Sequence, residues 1–143
     1  SLRQKARGNL NGAERTLRRA LNLAPDDPML LTNFGSLLGI SGRYRQAVEV
    51  LRGVVRRSPH LLEARVNLGA ALGKQGHVRE AIQVFEETRT LGLSSPALLN
   101  ALAVAYTENR QRPEAIRALE DSLGLERDQP VARAMLEELR RGS

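Results

Sequence analysis

The sequence contains no cysteine and no tryptophan, and only four of its 143 residues are aromatic. The absence of cysteine excludes a disulfide framework, a cysteine-ligated zinc site and thiol catalysis. Because strands favour aromatic and β-branched side chains, the scarcity of aromatic residues argues against an all-β fold. The longest apolar run, residues 97–106, includes an asparagine and is too short to span a bilayer, so no membrane insertion is predicted.

Leucine and alanine are abundant instead, with 24 and 17 residues. Both are strong helix formers, so the composition predicts an all-α fold. No secretory signal is recognisable, and a cytoplasmic location is the default expectation.

Basic residues are concentrated in the first half of the chain. Residues 1–71 carry 12 basic and 5 acidic residues, whereas residues 72–143 carry 10 basic and 11 acidic residues. A basic end can attract nucleic acid or an acidic protein surface. Arginine outnumbers lysine 20 to 2, a bias typical of GC-rich genomes, and solvated surface charge is the favoured interpretation.

The sequence repeats with a period of 34 residues. The repeat is visible in several independent columns, so it predicts a stack of similar structural units. The columns are Ala13, Ala47, Ala81 and Ala115; Leu17, Leu51, Phe85 and Leu119; Gly8, Gly42 and Gly76; Phe34, Leu68, Leu102 and Leu136; Gly35, Gly69 and Ala103; and Pro25 and Pro59.

Each period contains two segments with apolar residues at helical spacing, separated by a turn. Gly42 and Gly76 stand at the turns, where a left-handed backbone conformation is needed. Pro59 stops the second helix of the clearest unit, because proline disfavours helix in the residue before it. The predicted helices cover residues 28–40, 44–57, 62–75, 78–91, 96–108, 113–123 and 130–141.

Small residues predict where two helices approach closely. Gly35 is expected to face the Ala47 column and Gly69 the Ala81 column, with the large residues filling the space beside these contacts. A single hairpin cannot bury its own apolar face, so stability is expected to come from stacking between neighbours.

The pattern of Asn33-Phe34-Gly35, Gly42, Tyr44, Ala47, Leu51 and Pro59 resembles the tetratricopeptide repeat family, and residues 67–85 match it again. The resemblance implies a right-handed α-solenoid of helix-turn-helix repeats. In the third unit Ala103 and Arg110 replace glycines and Arg127 replaces a proline. We therefore expect a turn of different shape at Arg110.

The resemblance also divides the chain. Residues 1–27 match a partial repeat, the tail of a first helix and a full second helix, followed by full repeats at 28–61, 62–95 and 96–129 and a capping helix at 130–141. We expect a single domain that is a fragment of a longer protein. The partial repeat would leave an apolar face around Leu10 and Leu17 uncovered, which favours a homo-oligomer.

In this family the first helices line a concave groove that binds peptides or protein segments. Carried over residue by residue, the resemblance predicts a mostly neutral groove. The predicted groove residues are Met29, Thr32, Asn33, Ser36, Ile40, Glu63, Val66, Asn67, Ala70, Lys74, Asn100 and Val104.

Asn33 and Asn67 lie one repeat apart, and an asparagine amide can both donate to and accept from a peptide backbone. They resemble the asparagine ladder of the O-linked N-acetylglucosamine transferase repeats; the alternative is that they bond only local backbone or water. The carboxylate clamp of some family members is predicted absent, because Thr32 and Val66 occupy its lysine columns.

No catalytic or metal-binding pattern is present. His60 and His77 lack partners at metal-ligand spacing, and neither a nucleophile elbow nor a phosphate-binding loop occurs. Glu86 and Glu87 are adjacent on a helix and therefore point in different directions. The sequence predicts a non-enzymatic protein with no cofactor.

The leading interpretation is a scaffold that binds a protein or peptide in its groove. The alternatives are an RNA-binding helical repeat that uses the basic half, and a self-association module of a larger enzyme such as a glycosyltransferase. Nucleic acid is disfavoured, because the groove has almost no aromatic residues for base stacking.

Overall fold

The computed structural model describes residues 2–142, which form eight α-helices and no strand. Successive helices pair as hairpins, and the hairpins stack side by side, so that first helices also contact one another. This is the all-α solenoid predicted from the repeat. The helices are α1 (Leu2–Leu23), α2 (Pro28–Ile40), α3 (Tyr44–Arg57), α4 (Leu62–Lys74), α5 (Val78–Thr90), α6 (Pro96–Glu108), α7 (Arg112–Leu125) and α8 (Pro130–Arg141).

Side-chain caps mark the starts of two of the first helices, α2 and α6. The Asp27 carboxylate accepts hydrogen bonds from the N–H groups of Met29 and Leu30, at 2.9 and 3.0 Å, and so caps α2. The hydroxyl of Ser95 caps α6 by accepting from the Leu98 N–H at 3.1 Å. Each cap satisfies N–H groups that have no partner inside the helix.

The predicted ends of α2, α3, α6 and α8 agree with the structure, and three other helices differ slightly. α4 and α5 end one residue earlier than expected, and α7 extends beyond residues 113–123 at both ends. Helix ends are set by capping contacts, which an apolar pattern does not encode.

The start of the chain differs from the sequence prediction. A helix tail, a turn and a second helix were expected, but α1 is one continuous helix that includes Gly8. Among the described residues, the glycines with a left-handed backbone conformation are Gly42, Gly76 and Gly92. Gly8 is not among them, and α1 runs through this residue without a turn.

The turn of the third hairpin also corrects an expectation. Arg110 has a φ of 60°, close to the values of 80° and 89° at Gly42 and Gly76. Its N–H donates to the Thr107 carbonyl at 3.1 Å, as the Gly42 N–H does to Gly39 at 3.0 Å. The three turns thus have one shape, and an arginine occupies a position that favours glycine.

The core is formed by the repeated columns. Ala47, Ala81 and Ala115 are fully buried, as are Leu51, Phe85 and Leu119. The glycines, however, face the large column and not the alanines. A methyl group added at Gly35 would lie 2.6 Å from Leu51 Cγ, and one added at Gly69 would overlap the Phe85 ring. The glycines are therefore notches that receive large side chains.

Candidate binding groove

The first helices α2, α4 and α6 lie next to one another and present a shared face. Residues spaced three and four apart fall on one side of a helix, and these rows form the floor of the groove. The rows are Met29, Asn33, Ser36 and Ile40 on α2; Glu63, Asn67, Ala70 and Lys74 on α4; and Ala97, Ala101, Val104 and Glu108 on α6.

The first pocket of the groove lies between α2 and α4 and has a volume of about 360 Å³. Its walls are mainly apolar, with a hydroxyl, an amide and an ammonium group as the polar contributions. The lining residues are Gly35, Ser36, Gly39, Ile40, Tyr44, Asn67, Ala70, Ala71 and Lys74.

The second pocket lies between α4 and α6 and has a volume of about 290 Å³. It shares Ala70 and Lys74 with the first pocket, so the two form a continuous trough. The remaining lining residues are Gly69, Gly73, Ala81, Phe85, Ala101, Val104, Ala105 and Glu108.

Several apolar side chains of these rows face solvent. Ile40 is 69% exposed and Val104 is 45% exposed, and each belongs to one of the pockets. Exposed apolar groups inside a concave surface are typical of ligand sites, because a bound group removes them from water.

Charged groups in the groove have no ion pair among residues 2–142. Lys74 lines both pockets and Glu108 lines the second. The ion pairs of the described residues are found elsewhere, on α1, on the second helices, on α8 and in connecting segments. The groove charges are therefore available to a ligand.

Six of the residues predicted from the sequence line these pockets, namely Ser36, Ile40, Asn67, Ala70, Lys74 and Val104. Met29, Asn33 and Glu63 are exposed on the same helices but outside the pockets. Val66 is half-buried and packs against the core.

Thr32 and Asn100 differ from the prediction. Thr32 is buried, and its hydroxyl donates to the Pro28 carbonyl at 2.7 Å. Successive residues of a helix point in different directions, so Thr32 faces the core while the neighbouring Asn33 faces solvent. The Asn100 amide donates to Gln129 Oε1 at 2.8 Å. Gln129 in turn donates to the Ser122 and Glu126 carbonyls, so Asn100 contributes to the junction with α8.

Sequence reasoning missed the contributions of the second helices. Tyr44 begins α3 and lines the first pocket, while Phe85 of α5 lines the second. Tyr44 follows the turn directly, and this position next to the end of the first helix is the signal that places it beside Ile40.

The two asparagines of the predicted ladder have different surroundings. Asn33 is exposed, whereas Asn67 is half-buried in the first pocket. Neither amide has a hydrogen bond among the described residues. Each retains its full capacity to donate and accept.

The arginine-rich second helices carry most of the polar contacts between hairpins. Arg52 of α3 pairs with Glu80 of α5 at 3.0 Å, and Arg89 pairs with Asp121 of α7 at 3.4 Å. Arg43 lies 2.8 Å from Glu14, and this hydrogen bond lowers the pKa of Glu14. The Arg52–Glu80 and Arg89–Asp121 pairs are largely exposed, and each adds only about 0–1 kcal/mol of stability.

Residues 2–142 also lack an arrangement of side chains suited to a metal ion. No cluster of three or more histidine, aspartate or glutamate side chains that suits a metal ion is found there. Within the same residues, no helix combines the length and apolar character needed to cross a bilayer.

Family models describe most of the repeat region. Two models, both described as tetratricopeptide repeat, match residues 40–90 and 66–130. The matched residues therefore run from the end of α2 to the start of α8. No curated protein matches the sequence.

Solved structures agree with these models. MamA of Desulfovibrio magneticus RS-1 (residue 41 to the end) is 25% identical, with a TM-score of 0.77, over 96% of this chain and 78% of that one. TTC0263, a thermophilic tetratricopeptide protein in Thermus thermophilus, is 25% identical with a TM-score of 0.81, over 96% and 76%.

A third structure shares the fold. YrrB, described as a tetratricopeptide protein with an unusual peptide-binding site, is 18% identical with a TM-score of 0.74, over 86% of this chain and 63% of that one. The repeat columns, the stacked hairpins, the family models and the solved structures all agree. The chain belongs to the tetratricopeptide repeat family.

Proposed function

We propose that this chain binds a peptide segment of a partner protein in the groove of α2, α4 and α6. Tetratricopeptide repeats are protein-interaction scaffolds, and the groove is the feature of this one that best suits a ligand. The continuous trough formed by the two pockets carries the proposal. Its apolar walls favour burial of side chains, and the free Asn67 amide can pair with peptide backbone.

The other faces of the molecule support the proposal less well. Arginines of α3 and α5 are partly engaged in ion pairs with neighbouring elements of the stack. RNA binders of helical-repeat type stack bases on exposed aromatic rings, but Phe85 and Tyr106 are buried and Tyr44 is a single half-buried ring in the groove. Arg18 covers the Phe34 ring at 5.0 Å from its centroid.

The proposal is tested by selecting binders from a displayed random peptide library. Ala70 is exposed and belongs to both pockets, so Ala70→Arg should block both without disturbing the core. We expect peptides selected on the unmodified chain to lose at least tenfold in affinity for Ala70→Arg, about 1.4 kcal/mol. The double variant Asn33→Ala/Asn67→Ala should weaken binding if the amides hold peptide backbone.

Arg56→Ser, an exposed change on α3, is the matched control and should bind normally. NMR shift changes on peptide addition should fall on residues such as Ile40, Asn67 and Val104. Selected peptides that bind Ala70→Arg as tightly as the unmodified chain, or whose shifts map to the second helices, would exclude the groove as the binding surface.

A further inference from the structure

The two pockets share one cation. Lys74 lines both of them, its side chain is exposed, and it forms no ion pair among the described residues. The only other lysine is Lys5, near the start of α1. The trough thus contains a single ammonium group at the position where its two halves meet.

No carboxylate faces this ammonium group from the first pocket. The other lining residues there are apolar or neutral, among them Ser36, Tyr44 and Asn67. In the second pocket Glu108 is present, but it forms no ion pair with Lys74. The positive charge therefore stays available to a ligand in the trough.

Apolar surface surrounds the charge on both sides. Ile40 and Tyr44 contribute to the first pocket, while Phe85 and Val104 contribute to the second. Each pocket has room for one side chain, and an apolar side chain gains most from leaving water there. A charge between two apolar pockets contributes mainly to the choice of partner. Electrostatic complementarity discriminates among ligands more than it raises their affinity.

Resting on the proposed function, we infer that the groove selects peptide segments in which an acidic side chain lies between two apolar ones. Each apolar side chain enters one pocket, and the carboxylate pairs with the Lys74 ammonium. Segments with a basic residue at the central position are repelled, and segments with a neutral residue there lose the ion pair.

The test is a parallel selection from the displayed random peptide library on four proteins: the unmodified chain, Lys74→Glu, Lys74→Met and Arg56→Glu. Lys74 is exposed, so these changes leave the core intact. We expect acidic residues to be enriched on the unmodified chain and basic residues on Lys74→Glu. Selection on Lys74→Met should keep the apolar residues and lose the charge preference.

Arg56→Glu is the matched control, because it makes the same change of charge on an exposed position of α3. It should select the same acidic peptides as the unmodified chain. In the best peptide, replacing the acidic residue by its amide should weaken binding to the unmodified chain about fivefold, as expected for an exposed ion pair. The same replacement should leave binding to Lys74→Met unchanged.

Two outcomes separate this inference from the proposed function. If peptides bind in the groove but the enriched charge is the same on the unmodified chain and Lys74→Glu, the inference is wrong and the groove proposal stands. If no protein enriches any peptide, or the peptides map outside the groove, both are wrong.

Discussion

A single glycine in α4 makes room for an aromatic ring. A methyl group at Gly69 would overlap Phe85, which is buried and cannot swing into solvent. We expect Gly69→Ala to destabilise the protein by about 1–3 kcal/mol, the usual cost of overpacking. Gly53→Ala is the control, because its added methyl meets no atom within 4 Å.

In a helix interior with free space, alanine is more stable than glycine by about 0.5–1 kcal/mol. The urea concentration at the unfolding midpoint should therefore rise for Gly53→Ala and fall for Gly69→Ala. A higher midpoint for Gly69→Ala would mean that the glycine is not a notch for Phe85.

Tyr106 shows how burial changes the acidity of one residue. Burial, aided by the hydrogen bond that its hydroxyl donates to Glu86 at 2.5 Å, raises the pKa of Tyr106 to about 12. In the unfolded chain a tyrosine hydroxyl ionises near pH 10. Between about pH 10 and 12 the folded state therefore binds more protons than the unfolded state, and the free energy of unfolding falls as pH rises.

This contribution of Tyr106 is fully present below pH 10. Tyr106→Phe should flatten the decline in unfolding free energy above pH 10, measured by urea titration at several pH values. An equal slope in both proteins would show that Tyr106 does not cause the decline.

At the scale of elements, the three hairpin turns share one backbone shape but not one residue type. The left-handed conformation costs a non-glycine residue about 1–2 kcal/mol, and Arg110 bears this cost in the third turn. Glycine also makes the unfolded chain more flexible, which offsets about 0.4–1 kcal/mol of the gain. We expect Arg110→Gly to stabilise the protein by about 0.5–1 kcal/mol.

Thermal unfolding measures this change, and Gly76→Ala should have the opposite effect at the equivalent turn. A lower melting temperature for Arg110→Gly would indicate that the arginine side chain makes a contribution that outweighs its backbone strain.

The helices and turns also show which features the sequence patterns predict correctly and which they do not. The apolar period placed α2 and α3 correctly, because a residue that stops helices follows each of them. Gly42 follows α2, and Pro59 follows α3. The repeat columns were misleading at Gly8, because α1 continues through this glycine. The replacement of a glycine by Arg110 was misleading as well, because the arginine adopts the left-handed conformation of the other turns.

At the scale of the whole molecule, the two ends of the stack differ. Ala13 is exposed on α1, whereas its equivalents Ala47, Ala81 and Ala115 are fully buried. On α8 the position equivalent to Gly35 and Gly69 is Glu137. A side chain of this size leaves no notch for a residue such as Leu17, so α8 does not suit head-to-tail addition of another α1.

Self-association through α1 remains a prediction. This helix carries six basic residues against one acidic residue, so two copies repel each other at low salt. We expect a weak dimer that strengthens as salt rises from about 50 to 500 mM, since the Debye length shortens. Sedimentation velocity should show it for the unmodified chain and for Asn22→Arg, but not for Ala13→Arg. A monomer under all conditions would contradict the prediction.

By itself, the sequence determined the class of fold, the period and most helix positions, because apolar spacing and helix-stopping residues act locally. It also predicted a groove face, since side chains repeat at fixed steps along a helix, and the assignment of its residues to ligand binding stays a prediction. Its division into repeats at residues 28, 62, 96 and 130 stays a prediction.

Only the tertiary structure decided which of the predicted groove residues line the two pockets. A one-residue difference on α2 separates the buried Thr32 from the exposed Asn33, and the direction each side chain takes depends on how α2 packs. The same holds for Asn100, which Gln129 engages, and for Tyr44, which reaches the first pocket from a second helix. Contacts between segments distant in the chain create these surroundings, and periodicity within one helix does not contain them.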